Sequence, residues 1–378
     1  MKNLLVTLLS DQTIPNVQFI KEKQNEETFF LFVSTSKMEE KGVGKWIQKV
    51  CNISVEKAIT KIVDEFSLSD IENKLNELNY NDYGRVFVNV TGGTKIMSIQ
   101  VTDFFKAKKN ANIYYITGKD CWHLFPKSIR YSAPLKDNID LTEYVESYGF
   151  EMKEGSLSGI SFDYTKRFFQ EFLKFEDNEK IIIKLLREKW RNYKEKKKKK
   201  EEKRFNVCEM SGLSDFLCKV HFPTNDDYKT ISKSEVKYLT GDWFEEYIYF
   251  LMREENMVSD ENLKTGIHLI KRTDKKEIDN EFDIIFLWKT RFYAIECKTS
   301  ILSDKGNIVN ETIYKSTALQ KNLGLFSNFS IFTLSSKDKN DVKKLHFDRA
   351  ENLNIKVFCL EDILNCQSVA ELLKLKSC

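Results

Sequence analysis

The chain begins with KNLLVTLLS, a run that is apolar on both sides of an extended backbone. That is the pattern of a strand covered on two faces, not of one with a wet side. A polar loop, SDQTIPN, follows, with Pro15 suited to the first turn of a helix. TFFLFVST predicts the second strand. SDIENKLNEL predicts a helix, with Ser69 and Glu72 at capping-box spacing. RVFVNV predicts a third strand that runs into TGGTK, IMSIQVTDFFKAKK a helix, and NIYYIT a fourth strand. Strands alternating with helices imply a mostly parallel, doubly wound sheet over residues 1–150. CWHLFP and the Pro134 region predict a short hairpin and the exit from this unit.

The pattern then changes. KRFFQEFLKFEDNEKIIIKLLREKW is helical and dissolves into charge, so residues 151–235 read as a helical connector. Lys194–Arg204 is almost wholly Lys, Glu and Arg; because Glu195, Glu201 and Glu202 interrupt it, a solvated helix end fits better than a basic nucleic-acid contact. Residues 236–378 form another α/β unit. YLTGDWFEEYIYFLMREEN predicts an amphipathic helix, KTGIHLIKR, EFDIIFLW and RFYAIECKTS strands, ETIYKSTALQKNLGLF a helix, and FSIFTLSS and NIKVFCL further strands. The chain shows no internal repeats.

Composition narrows the partners. Of 378 residues, 41% are hydrophobic and 31% charged, with a net charge of +3. Such a balance is not that of a protein that coats nucleic acid, so nucleic-acid contacts are expected to be local. The eight cysteines show no CxxC pairing, and Cys208, Cys218 and His221 fit no common zinc spacing, which predicts reduced thiols in a cytoplasmic protein. No apolar run approaches the ~18 residues that span a membrane, and MKNLLVTLLS lacks the features of a signal peptide.

The chemistry lies in EFDIIFLWKTRFYAIECKTS. Charged groups in apolar strands are costly unless they are paired or bind a metal. Glu296 and Lys298 share a strand face. WKTR predicts a tight turn, so an antiparallel hairpin brings Asp283 close to Glu296. Two such carboxylates repel unless a cation lies between them. Mg²⁺ or Mn²⁺ is the natural guest, with the Cys297 carbonyl as a further ligand. Lys298 is placed to orient or deprotonate the attacking water, or to stabilise charge growing on phosphorus. Upstream, Glu245 and Glu246 lie on adjacent helix faces, so only one can face the same point; Gly241 is expected to let their helix pack closely.

This series, Gly241–Phe244–Glu245, then Asp283, then Glu296–Cys297–Lys298, resembles the PD-(D/E)XK, or restriction-endonuclease-like, nucleases. Phe282 stands where a proline often precedes the acid. The resemblance implies that Glu245, Asp283 and Glu296 are metal ligands, with Cys297 supplying its carbonyl, and that Lys298 is the catalytic lysine. In the following helix, Tyr314, Lys315 and Gln320 are candidates for substrate contact.

In the first unit, VNVTGGTKIMSIQ puts Gly92 and Gly93 between a buried strand and a helix. The glycines permit close backbone approach, and the helix start presents free N–H groups to an anion. Lys95 and the hydroxyls of Thr91 and Thr94 add donors. Neither GxxxxGK[ST] nor GxGxxG is present, which argues against NTP hydrolysis and dinucleotide binding. The loop Ser10–Asn16 and TGKD, Thr117–Asp120, are placed to share the carboxyl end of the sheet. This arrangement resembles the CARF domain, the CRISPR-associated Rossmann fold. Placed ahead of a nuclease-like unit, it is similar to the standalone CARF nucleases of type III CRISPR systems, the Card and Can group. That resemblance implies a homodimer activated by a cyclic oligoadenylate, most often cyclic tetra-adenylate. Ser10, Gln12, Thr13, Gly92, Gly93, Thr94 and Lys95 would hold the ligand, with Thr117 and Lys119 nearby. It also implies cleavage of single-stranded RNA or DNA, or nicking of duplex DNA. Two other readings are a non-catalytic, ligand-responsive nucleic-acid-binding regulator and a conventional Rossmann-type enzyme.

Overall fold

The computed structural model describes residues 2–129, 131–155, 161–194, 204–223, 228–273, 276–299, 308–320, 322–325, 327–336 and 344–375. The charge run after Lys194 therefore lies outside the described residues. Seven strands build the first sheet: β1 (Asn3–Leu8), β2 (Thr28–Ser34), β3 (Ala58–Ile62), β4 (Arg85–Asn89), β5 (Ala111–Thr117), β6 (Asp120–Phe125) and β7 (Tyr131–Pro134). Their order is β3-β2-β1-β4-β5-β6-β7. The first five are parallel, and β6 and β7 close the edge antiparallel. The two-sided apolar run of the N-terminus is explained by this placement: β1 is central, and Leu4, Leu5, Val6 and Leu8 are fully buried. The predicted hairpin at CWHLFP is β6 with β7.

Two local expectations need correction. RVFVNV is the fourth strand in the chain, because β3 precedes it. β3 is a short edge strand, half-buried and exposed by turns, so it carries no strong apolar signal. The helix after it is Leu68–Asn76, capped by Ser67, whose hydroxyl accepts from Asp70 N. The cap thus lies two residues before Ser69, which sits inside the first turn.

The second sheet has the order β15-β14-β13-β12-β11-β8, built from β8 (Glu151–Glu154), β11 (Leu263–Thr273), β12 (Lys276–Trp288), β13 (Arg291–Lys298), β14 (Ser327–Thr333) and β15 (Ile355–Phe358). The remaining two strands, β9 (Arg204–Asn206) and β10 (Thr230–Ser232), form a small ribbon. β11, β12 and β13 are antiparallel, whereas β13, β14 and β15 run parallel. The segment 151–235, expected as a helical connector, starts with β8, which pairs β11. Its helices Phe162–Phe172 and Asp177–Lys194 do not stand apart. They share one core with the Trp243–Glu254 helix, through Phe168, Leu186, Trp243 and Phe244. Phe169 stacks on Tyr247 with ring centroids 4.4 Å apart.

One hydrophobic core continues from the first sheet into the second, joining Leu5, Val17 and Phe32 to Ile285, Phe292 and Phe329. Specific bonds cross the same boundary. Tyr144 Oη donates to Leu323 O at 2.9 Å, and Leu325 N donates to Gln12 Oε1 at 2.9 Å. Gly324, between them, has φ +86° and lies so close to Tyr148 that a Cβ there would meet the phenol oxygen at 2.1 Å. No helix among the described residues is long and apolar enough to cross a membrane.

Candidate active site and sensor site

The β12–β13 hairpin turns at Lys289 and Thr290, both at positive φ. Its register pairs Ile284 with Ile295, so the next pair across is Asp283 with Glu296. Directly opposed residues of an antiparallel pair share a face. Both are buried, 9% and 6% exposed. The regular β11–β12 ladder is interrupted at this point. Gly266 adopts φ +62°, and Thr265 Oγ1 donates to Asp283 O at 2.8 Å.

Lys298 Nζ lies 3.3 Å from Asp283 Oδ2, 3.0 Å from Glu296 Oε2 and 3.2 Å from Cys297 O. These belong to three of the four residues expected to bind a cation, and in this structure they converge on one positive charge; the fourth, Glu245, makes no such contact with Lys298. Asp283 Oδ2 also accepts from Cys297 N at 2.7 Å. Burial, then the Glu296 charge, pushes Asp283 up to about 6. Burial acts against the Lys298 charge, but Asp283 and Glu296 outweigh it and hold the ammonium above its usual range. Burial, and next the charge of Asp283, raises Glu245 well above the ordinary carboxyl range.

Of the two glutamates left open by the sequence, Glu245 is the one whose carboxyl feels the charges of Asp283 and Lys298. Glu246 is buried against Tyr238, whose hydroxyl is raised by burial and by that carboxylate. Among the described residues, no three His, Cys, Asp or Glu side chains gather to hold a metal ion. Two carboxylates and one main-chain carbonyl converge; Glu245 stands beside them, and Cys208, Cys218 and His221 form no such group. Gly241 does not serve close packing, since a Cβ there would meet nothing within 4 Å. It belongs to a π-helical turn, Tyr238–Asp242, that leads into the Glu245 helix. Such turns free a carbonyl from the helical ladder. Here Thr240 O accepts from Thr299 Oγ1 at 2.9 Å and from Arg187 at 3.1 Å, tying the end of β13 to the helix start.

Arg187 and Thr299 were missed in the sequence, because nothing in a lone Arg or Thr announces such a bond. Of the three candidates in the following helix, Lys315 Nζ lies 3.2 Å from Glu296 Oε1, whereas Tyr314 is exposed and Gln320 Nε2 donates to Ser327 O.

At the first sheet, the strand order reverses between β1 and β4, the place where ligands bind in open α/β sheets. The glycine turn lies there. A Cβ on Gly92 would meet Leu8 O at 2.1 Å and Ser10 Oγ at 3.4 Å, so only glycine lets the two loops touch. Gly93 has φ +71°, and Thr94 caps the Lys95–Lys106 helix, accepting from Met97 N at 3.2 Å. Lys95 is exposed at the helix start. Beneath the turn, Asn16 and Asn89 form a buried polar link (3.0 Å) that the sequence did not reveal. Gln12 faces Leu325, and Thr13, 1% exposed, pairs with Ser147 at 2.9 Å. Thr117 accepts from Trp122 Nε1. Lys119 lines a separate cleft of about 470 Å³ with Pro15, Trp288 and Arg291.

Comparisons with known proteins follow the same division. The family described as the Card1 CARF domain matches residues 4–144, and the Card1-like endonuclease domain matches residues 232–372. No curated protein matches the chain. Protein VC1899 from Vibrio cholerae is similar in structure, with a TM-score of 0.72 at 14% identity over 96% of this chain and 95% of that one. Can2 from Sulfobacillus thermosulfidooxidans, solved with cyclic tetra-adenylate, has a TM-score of 0.70 at 20% identity over 98% and 96%. A type III CRISPR defence DNA nuclease activated by cyclic oligoadenylate gives 0.53 at 15% identity, over 88% of this chain and 45% of that one. At these identities the structural likeness is one of fold. With a CARF domain and an endonuclease domain each matched in its expected half, the chain belongs to the Card1-like CARF nucleases.

Proposed function

We propose that this protein is a cyclic-oligoadenylate-activated, divalent-metal-dependent nuclease of type III CRISPR antiviral defence, acting as a homodimer with cyclic tetra-adenylate as activator. The observation that carries the hydrolytic half is the convergence of Asp283 Oδ2, Glu296 Oε2 and Cys297 O on one point, 3.0–3.3 Å from the Lys298 ammonium. A donor set of hard oxygens that already surrounds a positive charge suits Mg²⁺ or Mn²⁺. Asp283, Glu296 and the Cys297 carbonyl would hold the ion, with Glu245 beside them. Bound there, it would lower the pKa of water and neutralise charge on a phosphodiester.

The chain's own residues supply the rest. The hairpin places the two carboxylates on rigid, buried strands, which limits reorganisation during the reaction. Lys298 offsets negative charge developing on the phosphate. The Thr240–Thr299 bond holds the Glu245 helix against the end of β13. The CARF half offers an anion-binding turn of backbone N–H groups, hydroxyls and Lys95, formed by Gly92, Gly93 and Thr94 with Ser10 of the neighbouring loop beside it. A two-fold ligand that meets equivalent turns of two protomers shifts the population toward the arrangement it binds better. The test is incubation with cyclic tri-, tetra- and hexa-adenylate plus Mn²⁺ or Mg²⁺, scoring single-stranded RNA, single-stranded DNA and plasmid. Cleavage that needs both messenger and metal is expected; cleavage independent of either would overturn the corresponding half.

A further inference from the structure

We infer that Lys315 is a positioning residue for Glu296, fixing the plane of its carboxylate so that Oε2 faces the point shared with Asp283 and Cys297. The inference rests on the metal reading above and deepens it. Glu296 is held at both oxygens: Lys298 Nζ donates to Oε2 at 3.0 Å, and Lys315 Nζ donates to Oε1 at 3.2 Å. Lys315 also donates to Glu281 O at 2.7 Å, two residues before Asp283. One side chain of the Ile308–Gln320 helix thus bonds both strands that carry the carboxylates.

The two lysines differ in kind. Lys298 meets all three converging oxygens. Lys315 touches only the outer oxygen, with its ammonium over the Phe282 ring at 5.7 Å, and its side chain is 40% exposed. The terminal torsion of a glutamate is soft. A carboxylate anchored through one oxygen swings; anchored through both, it presents the inner one in a fixed direction. Partners of this outer type, when removed, typically cost about 10–100-fold in metal affinity or activity.

The sign of the effect separates positioning from simple charge. Removing a positive charge close to a cation site would, by Coulomb's law alone, tighten cation binding. Loss of orientation weakens it.

The experiment uses the full chain and Mn²⁺ alone, with free Mn²⁺ read by electron paramagnetic resonance. Lys315→Met keeps the apolar stem and removes both bonds; it is expected to raise the Mn²⁺ dissociation constant about tenfold or more. Lys315→Arg, which keeps a donor, is expected to restore binding to within about threefold of the parent. With saturating Mn²⁺ the cleavage rate of Lys315→Met should return toward the parent value, whereas Lys298→Met should stay inactive. Unchanged or tighter Mn²⁺ binding by Lys315→Met overturns the inference and leaves the metal site standing. So does a loss of kcat that saturating Mn²⁺ does not restore. A parent protein that takes up no Mn²⁺ overturns the metal reading and this inference together.

Discussion

The two sites solve opposite problems. The candidate hydrolytic site keeps charges out of water: Asp283 and Glu296 are both buried, and each is tied to a lysine or a main-chain N–H. The sensor turn keeps almost no charge. It offers backbone N–H groups, hydroxyls and the exposed Lys95, and its shape depends on the absence of a side chain at Gly92. Concentrated charge in a dry pocket is suited to chemistry on a phosphate, because low dielectric strengthens every interaction there. Dispersed, solvated donors are suited to reversible binding of a polyanion. The comparison teaches that catalysis should fail sharply on single changes, and sensing gradually.

The largest expected effect is removal of divalent metal. EDTA should abolish cleavage while messenger binding, followed by calorimetry, persists; activity surviving in the chelator would break the contrast at its root. Next comes Glu296→Gln, which keeps the shape and deletes the charge. Its cleavage rate should fall by about 10²–10³-fold, measured on labelled oligonucleotide under single-turnover conditions. Messenger affinity should remain within error, since the residue lies in the other sheet. Lys95→Ala should act more gently. One charge-assisted bond is worth about 1.5–3 kcal/mol, so messenger affinity should drop roughly 10–100-fold, with cleavage recovering at high messenger concentration. Equal affinity in the variant would remove Lys95 from the sensor. The smallest effect belongs to the boundary between the two halves: Tyr144→Phe deletes the bond to Leu323 O and should cost about 1 kcal/mol, read as a small fall in denaturation midpoint. A large fall would mean that this single contact governs how the halves fit.

What the sequence disclosed follows the same divide. Asp283, Glu296 and Lys298 were legible because strand alternation and a two-residue turn fix which residues oppose one another, and a one-residue slip would have turned the charges away. The parallel sheet was legible in the alternation of strands with helices, and the burial of β1 in its apolar run. Gly92 was legible as a close approach, though not what it approaches. Gln12 and Thr13 had the right composition for a ligand loop, yet their partners, Leu325 and Ser147, lie more than 130 residues away, and no local pattern encodes such a contact. β3 and β8 were invisible for another reason: short edge strands bury too little to show a period. Segment 151–235 read as a connector because its helical run dissolves into charge, but the apolar faces of its helices complete the core around Trp243.

The Gln12–Leu325 bond has a consequence of its own. Gln12 sits two residues from Ser10, and Leu325 ends the turn that leaves the helix bearing Lys315. Lys315 of that helix in turn bonds Glu296. The loop that carries the candidate ligand groups and the helix that bonds Glu296 thus meet across the boundary between the two sheets, and exchanging Gln12 is the direct way to loosen that seam.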